Sequence, residues 1–200
     1  MWDERYSGPD YIYGTEPNDF LAEQAHRLPR GRVLCLAEGE GRNAVWLAGQ
    51  GFDVTAVDAS GVGLHKARRL AAERGVEIRT IHADLATFAI EPDAWDVIVS
   101  IFCHLLPPLR ADVHRRGVAG LRPGGVLLLE AYTPRQLALG TGGPPVAELM
   151  MDAQTLRAEL AGLELLHLRE LDRDIQEGAF HAGVGAVVQV LGRKLPTPPA

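Results

Sequence analysis

VLCLAEGEGRNA, residues 33–44, joins an uninterrupted apolar run to a glycine turn and then to helical spacing. Val33–Leu36 reads as a buried strand, and Ala44, Val45, Leu47 and Ala48 recur as one face of a helix. Between them Gly39, Gly41 and Ala44 make a G-x-G-x-x-A pattern, which carries meaning only between a strand and a helix, as here. Working back, Phe20, Leu21, Ala25 and Leu28 give helical spacing over Asn18–Leu28, and Pro29-Arg30-Gly31 stops it. Working forward, Asp53–Val57 is a second strand and closes a β-α-β unit.

Ser60 can cap a helix through Leu64, Ala67, Leu70 and Ala71, after which Glu77–Ala83 alternates Ile78 and Ile81 with polar neighbours. Trp95–Phe102 is a fourth strand, Leu109–Leu121 a helix, and Val126–Ala131, opened by Pro123-Gly124-Gly125, a fifth strand. After a helix near Asp152–Leu160, the strand patterns Leu163–Leu171 and Val184–Leu191 are joined by a polar loop, Asp172–Gly183, with no helix between them. Two strands joined that way are expected to pair antiparallel. The expected fold is α/β: a doubly wound, Rossmann-like, mostly parallel seven-stranded sheet, with helices on both faces and an antiparallel strand pair at the C-terminus.

With 200 residues, 46% of them hydrophobic and 23% charged, the chain has the composition of a folded globular protein. We expect one domain over residues 1–195 and a frayed tail at 196–200. The net charge of −6 and the absence of a basic cluster argue against nucleic acid as a partner. Cys35 and Cys103 each lie in an apolar run, which fits a reducing cytoplasm better than a disulfide framework. The opening MWDERYSG has no signal-peptide pattern and no apolar run is long enough to span a bilayer, so neither secretion nor membrane insertion is expected.

A G-x-G-x-x-A loop serves dinucleotides and adenosine ligands alike, and Asp58, at the end of the second strand, is placed to accept ribose hydroxyls in either case. Charge separates the two. A dinucleotide presents a pyrophosphate and requires bare backbone N–H groups, whereas here Glu38 and Glu40 alternate with the glycines. Two carboxylates beside a dianion each cost on the order of 1–4 kcal/mol. They suit a ligand bearing an ammonium and a sulfonium, as S-adenosylmethionine does, and its adenine finds polar company at His82-Ala83-Asp84-Leu85.

VLCLAEGEGRNA (33–44), TAVDAS (55–60), HADL (82–85), WDVIVSIFCHL (95–105) and LRPGGVLLLEAY (121–132) resemble, in order and spacing, the motifs of class I S-adenosylmethionine-dependent methyltransferases. WDERYSG…YGTEPN and the fused EGEGRNA are further similar to the small bacterial branch related to tellurite-resistance and thiopurine methyltransferases. The resemblance covers roughly residues 1–195 and implies that cofactor and a small acceptor. The chain departs from the family's D-x-G-x-G-x-G form, with Cys35, Ala37 and Glu38 in that stretch, so the loop acid has moved to Glu38 and Glu40 adds a second.

The expected cofactor-binding residues are Glu38, Gly39, Glu40, Gly41, Arg42, Asn43, Asp58, Ala59, Ser60, Asp84, Leu85, Ile101, Phe102 and Tyr13. Each has a plainer alternative. Gly39 and Gly41 could serve only a turn, Glu38 only the helix dipole, Glu40 could be solvated, Arg42 and Asn43 could only cap, and Ile101 and Phe102 could be core. Trp2, Tyr6, Tyr11 and Tyr13 read as a lid over the cofactor or as an aromatic clamp outside the sheet. Asp58 is expected to have no packing role. His104, at the exit of the fourth strand, is the candidate catalytic residue, as base or substrate contact, and His181 is a weaker candidate. Cys103 beside His104 lacks a third orienting residue and is a poor nucleophile candidate. No metal site is expected. A neutral thioether leaves without acid assistance, so a soft sulfur, selenium or tellurium nucleophile, or an oxygen nucleophile, needs no obvious catalytic dyad. The competing readings are an NAD(P)-dependent oxidoreductase and a non-catalytic adenosylmethionine-binding protein.

Overall fold

The computed structural model describes residues 2–178 and 182–196, so His181 and residues 197–200 of the expected tail lie outside the described residues. In chain order the elements are α1 (Trp2–Arg5), α2 (Asp19–Gln24) with a 3-10 turn at Ala25–Arg27, β1 (Arg32–Leu36), α3 (Arg42–Gly49), β2 (Asp53–Asp58), α4 (Gly61–Glu73) and β3 (Arg79–His82). There follow β4 (Trp95–Ile101), α5 (Pro107–Gly120), β5 (Leu121–Tyr132), α6 (Gln136–Leu139), a 3-10 turn at Ala147–Leu149, α7 (Ala153–Glu159), β6 (Leu163–Gln176) and β7 (Ala182–Lys194).

These strands form one seven-stranded sheet in the order β3-β2-β1-β4-β5-β7-β6. β3 to β5 pair in parallel, and β7 runs antiparallel to both of its neighbours. The apolar runs of β1 and β4 are buried because they are central and covered on both faces. Alternation divides them: Leu34 and Leu36 pack with Ile98, Leu127, Val113 and Leu156, whereas Val33 and Cys35 pack with Leu47, Val54, Leu64 and Phe20.

Several segments depart from the sequence reading: the short helices α1 and α6 are additional, and β5 begins at Leu121, ahead of the expected start at Val126. Asn18 stands before α2 as its N-terminal cap, its side-chain oxygen accepting the Leu21 N–H at 3.0 Å, and beyond Gln24 the chain tightens into the 3-10 turn. The expected polar loop Asp172–Gly183 is mostly strand: β6 continues to Gln176 and β7 begins at Ala182. β6 is an edge strand, and an edge tolerates the charged side chains of Asp172, Arg173 and Asp174 that make the segment read as a loop.

Candidate active site

The sheet order turns between β1 and β4, and a cavity of about 620 Å3 opens at the carboxyl ends of these strands, where doubly wound sheets bind ligands. Each of the two strands leaves the sheet through a non-glycine residue in the left-handed region, Ala37 with φ 50° and Phe102 with φ 51°, and both line the cavity. Such conformations cost about 1–3 kcal/mol each and cluster at functional sites.

The glycine loop folds back onto the ends of β1 and β2. Gly39 and Gly41 have φ of 62° and 91°; a Cβ on Gly39 would stand 2.7 Å from the Tyr6 hydroxyl, and one on Gly41 2.5 Å from the Ala67 side chain. Both glycines thus serve the turn and its packing against the N-terminal segment and α4. The Asp58 carboxylate accepts the Gly39 N–H at 2.8 Å and the Ser60 N–H at 2.7 Å. The expectation that Asp58 has no structural part is therefore corrected: it closes the loop as well as facing the cavity. Burial raises its pKa, against the lowering effect of these two N–H groups.

Glu38 is buried below the same loop. Its Oε1 accepts the N–H groups of Asn43 at 2.9 Å and Ala44 at 2.8 Å, capping α3 from within. Burial pushes this carboxyl up to about 7, although the two N–H groups and Arg42 pull it down. Glu40 lines the cavity, but its carboxylate meets Lys66 Nζ at 2.7 Å and the Ile12 N–H at 2.8 Å, so it anchors the N-terminal segment. Asn43 accepts the Asn18 N–H at 2.9 Å. Arg42 forms a buried ion pair with Glu177, and Asn18 Nδ2 donates to both Glu177 and the fully buried Glu130, at 2.9 Å each.

At one end of the cavity stand Asp58, Ala59, Asp84 and Leu85, and Asp84 Oδ1 accepts the Ala86 N–H at 2.8 Å. Ser60 does not line it; its hydroxyl donates to Asp3 at 2.5 Å and accepts the Gly63 N–H at 3.0 Å, joining α1 to the start of α4. Trp2, Tyr6 and Tyr13 line the cavity as one aromatic group, Trp2 stacked on Tyr6 with ring centroids 5.7 Å apart and Tyr13 edge-on to Tyr6 at 6.4 Å. Tyr11 instead sits outside under Arg69 and Lys66. The two readings of the N-terminal aromatics are therefore divided between them.

At the other end stand Ile101, Phe102, Cys103, His104 and Leu105. His104 Nε2 accepts the backbone N–H of Tyr132 at 3.1 Å, and its ring lies 5.7 Å from that of Tyr132 with 13° between planes. An imidazole that accepts at Nε2 is neutral and carries its proton on Nδ1. Burial pushes the Cys103 thiol up to about 12, so it stays protonated and is no nucleophile. Glu130, Arg173 and Glu177 escaped the sequence reading; the signal available was Glu130, a lone acid in the apolar run VLLLEAY.

Residues 33–125 match the family described as a methyltransferase domain. These residues, a little under half of the chain, are similar to that family. A curated relative of the domain is the uncharacterized methyltransferase YbaJ of Bacillus subtilis, 31% identical over 104 residues, which are 52% of this chain and 41% of that protein. The match thus spans less than half the length of this relative. Among solved structures, a SAM-dependent methyltransferase from Methanosarcina mazei superposes with a TM-score of 0.72 at 15% identity, covering 91% of this chain and 100% of that one. TehB from Haemophilus influenzae superposes with a TM-score of 0.72 at 19% identity, covering 96% of this chain and 65% of that one. At these identities the likeness is one of fold: residues 33–125 and the strands after them build a sheet of the same architecture.

Proposed function

We propose that this protein transfers a methyl group from S-adenosylmethionine to a small-molecule acceptor with a soft sulfur, selenium or tellurium nucleophile, or an oxygen nucleophile. The observation that carries the reading is the Glu38 cap. The N-terminus of α3, where a dinucleotide would seat its pyrophosphate, already has two N–H groups bonded to a buried carboxylate. That arrangement repels an anion and suits a ligand whose nearby groups are cationic, which favours S-adenosylmethionine over NAD(P).

The residues present fit such a ligand. Asp58 keeps lone pairs for ribose hydroxyls beyond the two N–H groups it accepts, Asp84 and Leu85 offer a polar and an apolar neighbour for the adenine, and Glu38 faces the amino-acid end. When bound, the cofactor supplies an electrophilic methyl group on a sulfonium. The chain contributes position and dryness: Tyr6 and Tyr13 cover the cavity, and Phe102, His104 and Leu105 line its acceptor end.

His104 orients the acceptor and does not deprotonate it, because its Nε2 lone pair is committed to the Tyr132 N–H and its Nδ1 is protonated. The acceptor must then arrive already anionic or intrinsically nucleophilic, which supports the soft class. The net charge of −6 speaks against a nucleic-acid acceptor. The test is a product-release assay across thiols, selenite, tellurite and phenols. Turnover with one of these classes is expected; activity on protein or nucleic acid alone overturns the acceptor class, and cofactor binding without turnover on any acceptor overturns the enzymatic reading.

A further inference from the structure

Among the described residues that line the cavity none belongs to α5, yet two arginines of that helix hold segments that do. Arg110 is buried, and Glu159 at the end of α7 accepts its Nε at 3.1 Å and its Nη2 at 2.9 Å. His114, one turn along α5, meets the same carboxylate at 2.7 Å. A guanidinium fixed in this way turns its remaining arm, Nη1, onto the carbonyls of Glu148 at 3.3 Å and Met150 at 3.1 Å. Leu149, between those two carbonyls, lines the cavity. The segment belongs to the acceptor end: Met150 packs with Tyr132, the Met151 N–H donates to the Tyr132 carbonyl at 3.1 Å, and the Tyr132 N–H donates to His104.

Arg116 repeats the device at the opposite end. Its Nε meets Asp112 at 2.7 Å, its Nη2 donates to the Leu85 carbonyl at 2.6 Å, and its Nη1 donates to the Phe88 carbonyl. Leu85 lines the cavity beside Asp84. An ion pair between helices needs only the carboxylate. Here each arginine is aimed by a carboxylate and spends its other donors on the carbonyls of a wall segment outside the sheet, where backbone acceptors need partners. The planar guanidinium fork suits that task, because one rigid group reaches several acceptors at fixed spacing.

We propose that α5 is the positioning element of the cavity: Arg110 sets the acceptor wall at Leu149, and Arg116 independently sets the opposite wall at Leu85. This rests on the cofactor and acceptor readings above.

Two measurements read the two walls separately. Calorimetry gives the affinity for S-adenosylhomocysteine, and steady-state turnover at saturating S-adenosylmethionine gives KM for the fastest of benzenethiol, phenol, selenite and tellurite. Arg110→Gln should raise the acceptor KM about tenfold, with kcat and S-adenosylhomocysteine affinity within about threefold of wild type. Arg116→Gln should do the reverse, weakening S-adenosylhomocysteine about tenfold and leaving the acceptor KM within about threefold. In a Leu149→Ala background Arg110→Gln should lose most of its effect on KM, since both changes act on one wall.

Both variants moving both constants by similar factors is the signature of general damage and overturns the proposal, as does either variant leaving its own constant unchanged. A KM effect of Arg110→Gln that persists undiminished in Leu149→Ala overturns the link to that wall. Arg110→Lys and Arg116→Lys keep the charge without the fork and serve should the glutamine variants not fold; each should move its own constant by an intermediate factor, and an unchanged constant overturns the role. If no acceptor turns over while S-adenosylhomocysteine binds the wild type, the acceptor reading fails and the role of Arg110 fails with it. Failure of S-adenosylhomocysteine to bind the wild type overturns the cofactor reading itself.

Discussion

Glu38 Oε1 lies 2.8 Å from the backbone nitrogen of Ala44, so a carboxylate from the end of β1 caps the helix that follows it. Its proton is held more tightly in the folded chain than in the unfolded one, about 7 against an ordinary 4.5. The stability this group contributes is present below the unfolded value and is lost as pH rises through about 7. A ligand that sets its ammonium group beside Glu38 reverses the preference, so affinity for S-adenosylhomocysteine should rise with pH across the same window. Glu38→Gln keeps the cap acceptor and removes the charge: the free variant should melt higher than wild type at pH 8 and bind the ligand about tenfold more weakly or worse. Melting curves and titrations at pH 6 and 8 check both, and an affinity indifferent to pH in the wild type contradicts the assignment.

Asp58→Ala should damage binding and fold together. The carboxylate holds the Gly39 and Ser60 N–H groups, so its loss frees two buried donors and opens the loop, at about 1–3 kcal/mol of stability for each. A ligand affinity lowered with no fall in denaturation midpoint would show that the loop closes without it.

His104→Ala should lower turnover by about a hundredfold, leaving cofactor affinity within a factor of a few. His104→Gln, which can still accept the Tyr132 N–H, should recover part of it. Long-range nitrogen–proton NMR on histidine-labelled protein reads the tautomer directly. A proton on Nδ1 is expected at pH 8; a proton on Nε2 restores His104 as a candidate base.

Lys66→Met isolates the buried Glu40 carboxylate, leaving it the Ile12 N–H alone. Breaking one side of a buried pair costs about 3–5 kcal/mol, and the segment that carries Tyr6 and Tyr13 should loosen with it. Urea titration measures the first effect, and hydrogen exchange at Ile12 the second; unchanged protection there means the segment is anchored by other contacts.

The central strands were legible because burial on both faces leaves an apolar run, as in Val33–Leu36 and Trp95–Ile101, and the glycine loop because turn chemistry is local. The ends of β6 and β7 were not, since an edge strand can carry Asp172, Arg173 and Asp174 and look like a loop. In the site, the acid at the end of β2 and the histidine after β4 were readable by position. What Glu40 does was not: only the fold brings it to Lys66 and Ile12. The same holds for Arg42, whose partner Glu177 is 135 residues away, and for Ala37 and Phe102, whose left-handed backbone no side chain announces.

The central claim is that the β1–β4 cavity takes an adenosyl ligand with an ammonium-bearing amino-acid end and rejects a pyrophosphate. Thermal denaturation of the wild type with S-adenosylhomocysteine and, separately, with NADH and NADPH tests it most directly. Ligand at about 100 times its dissociation constant adds roughly 2.7 kcal/mol, a rise of roughly 5–10 °C for a chain of this size. The account predicts that rise with S-adenosylhomocysteine and none with either dinucleotide; a comparable rise with NADH or NADPH and none with S-adenosylhomocysteine contradicts it.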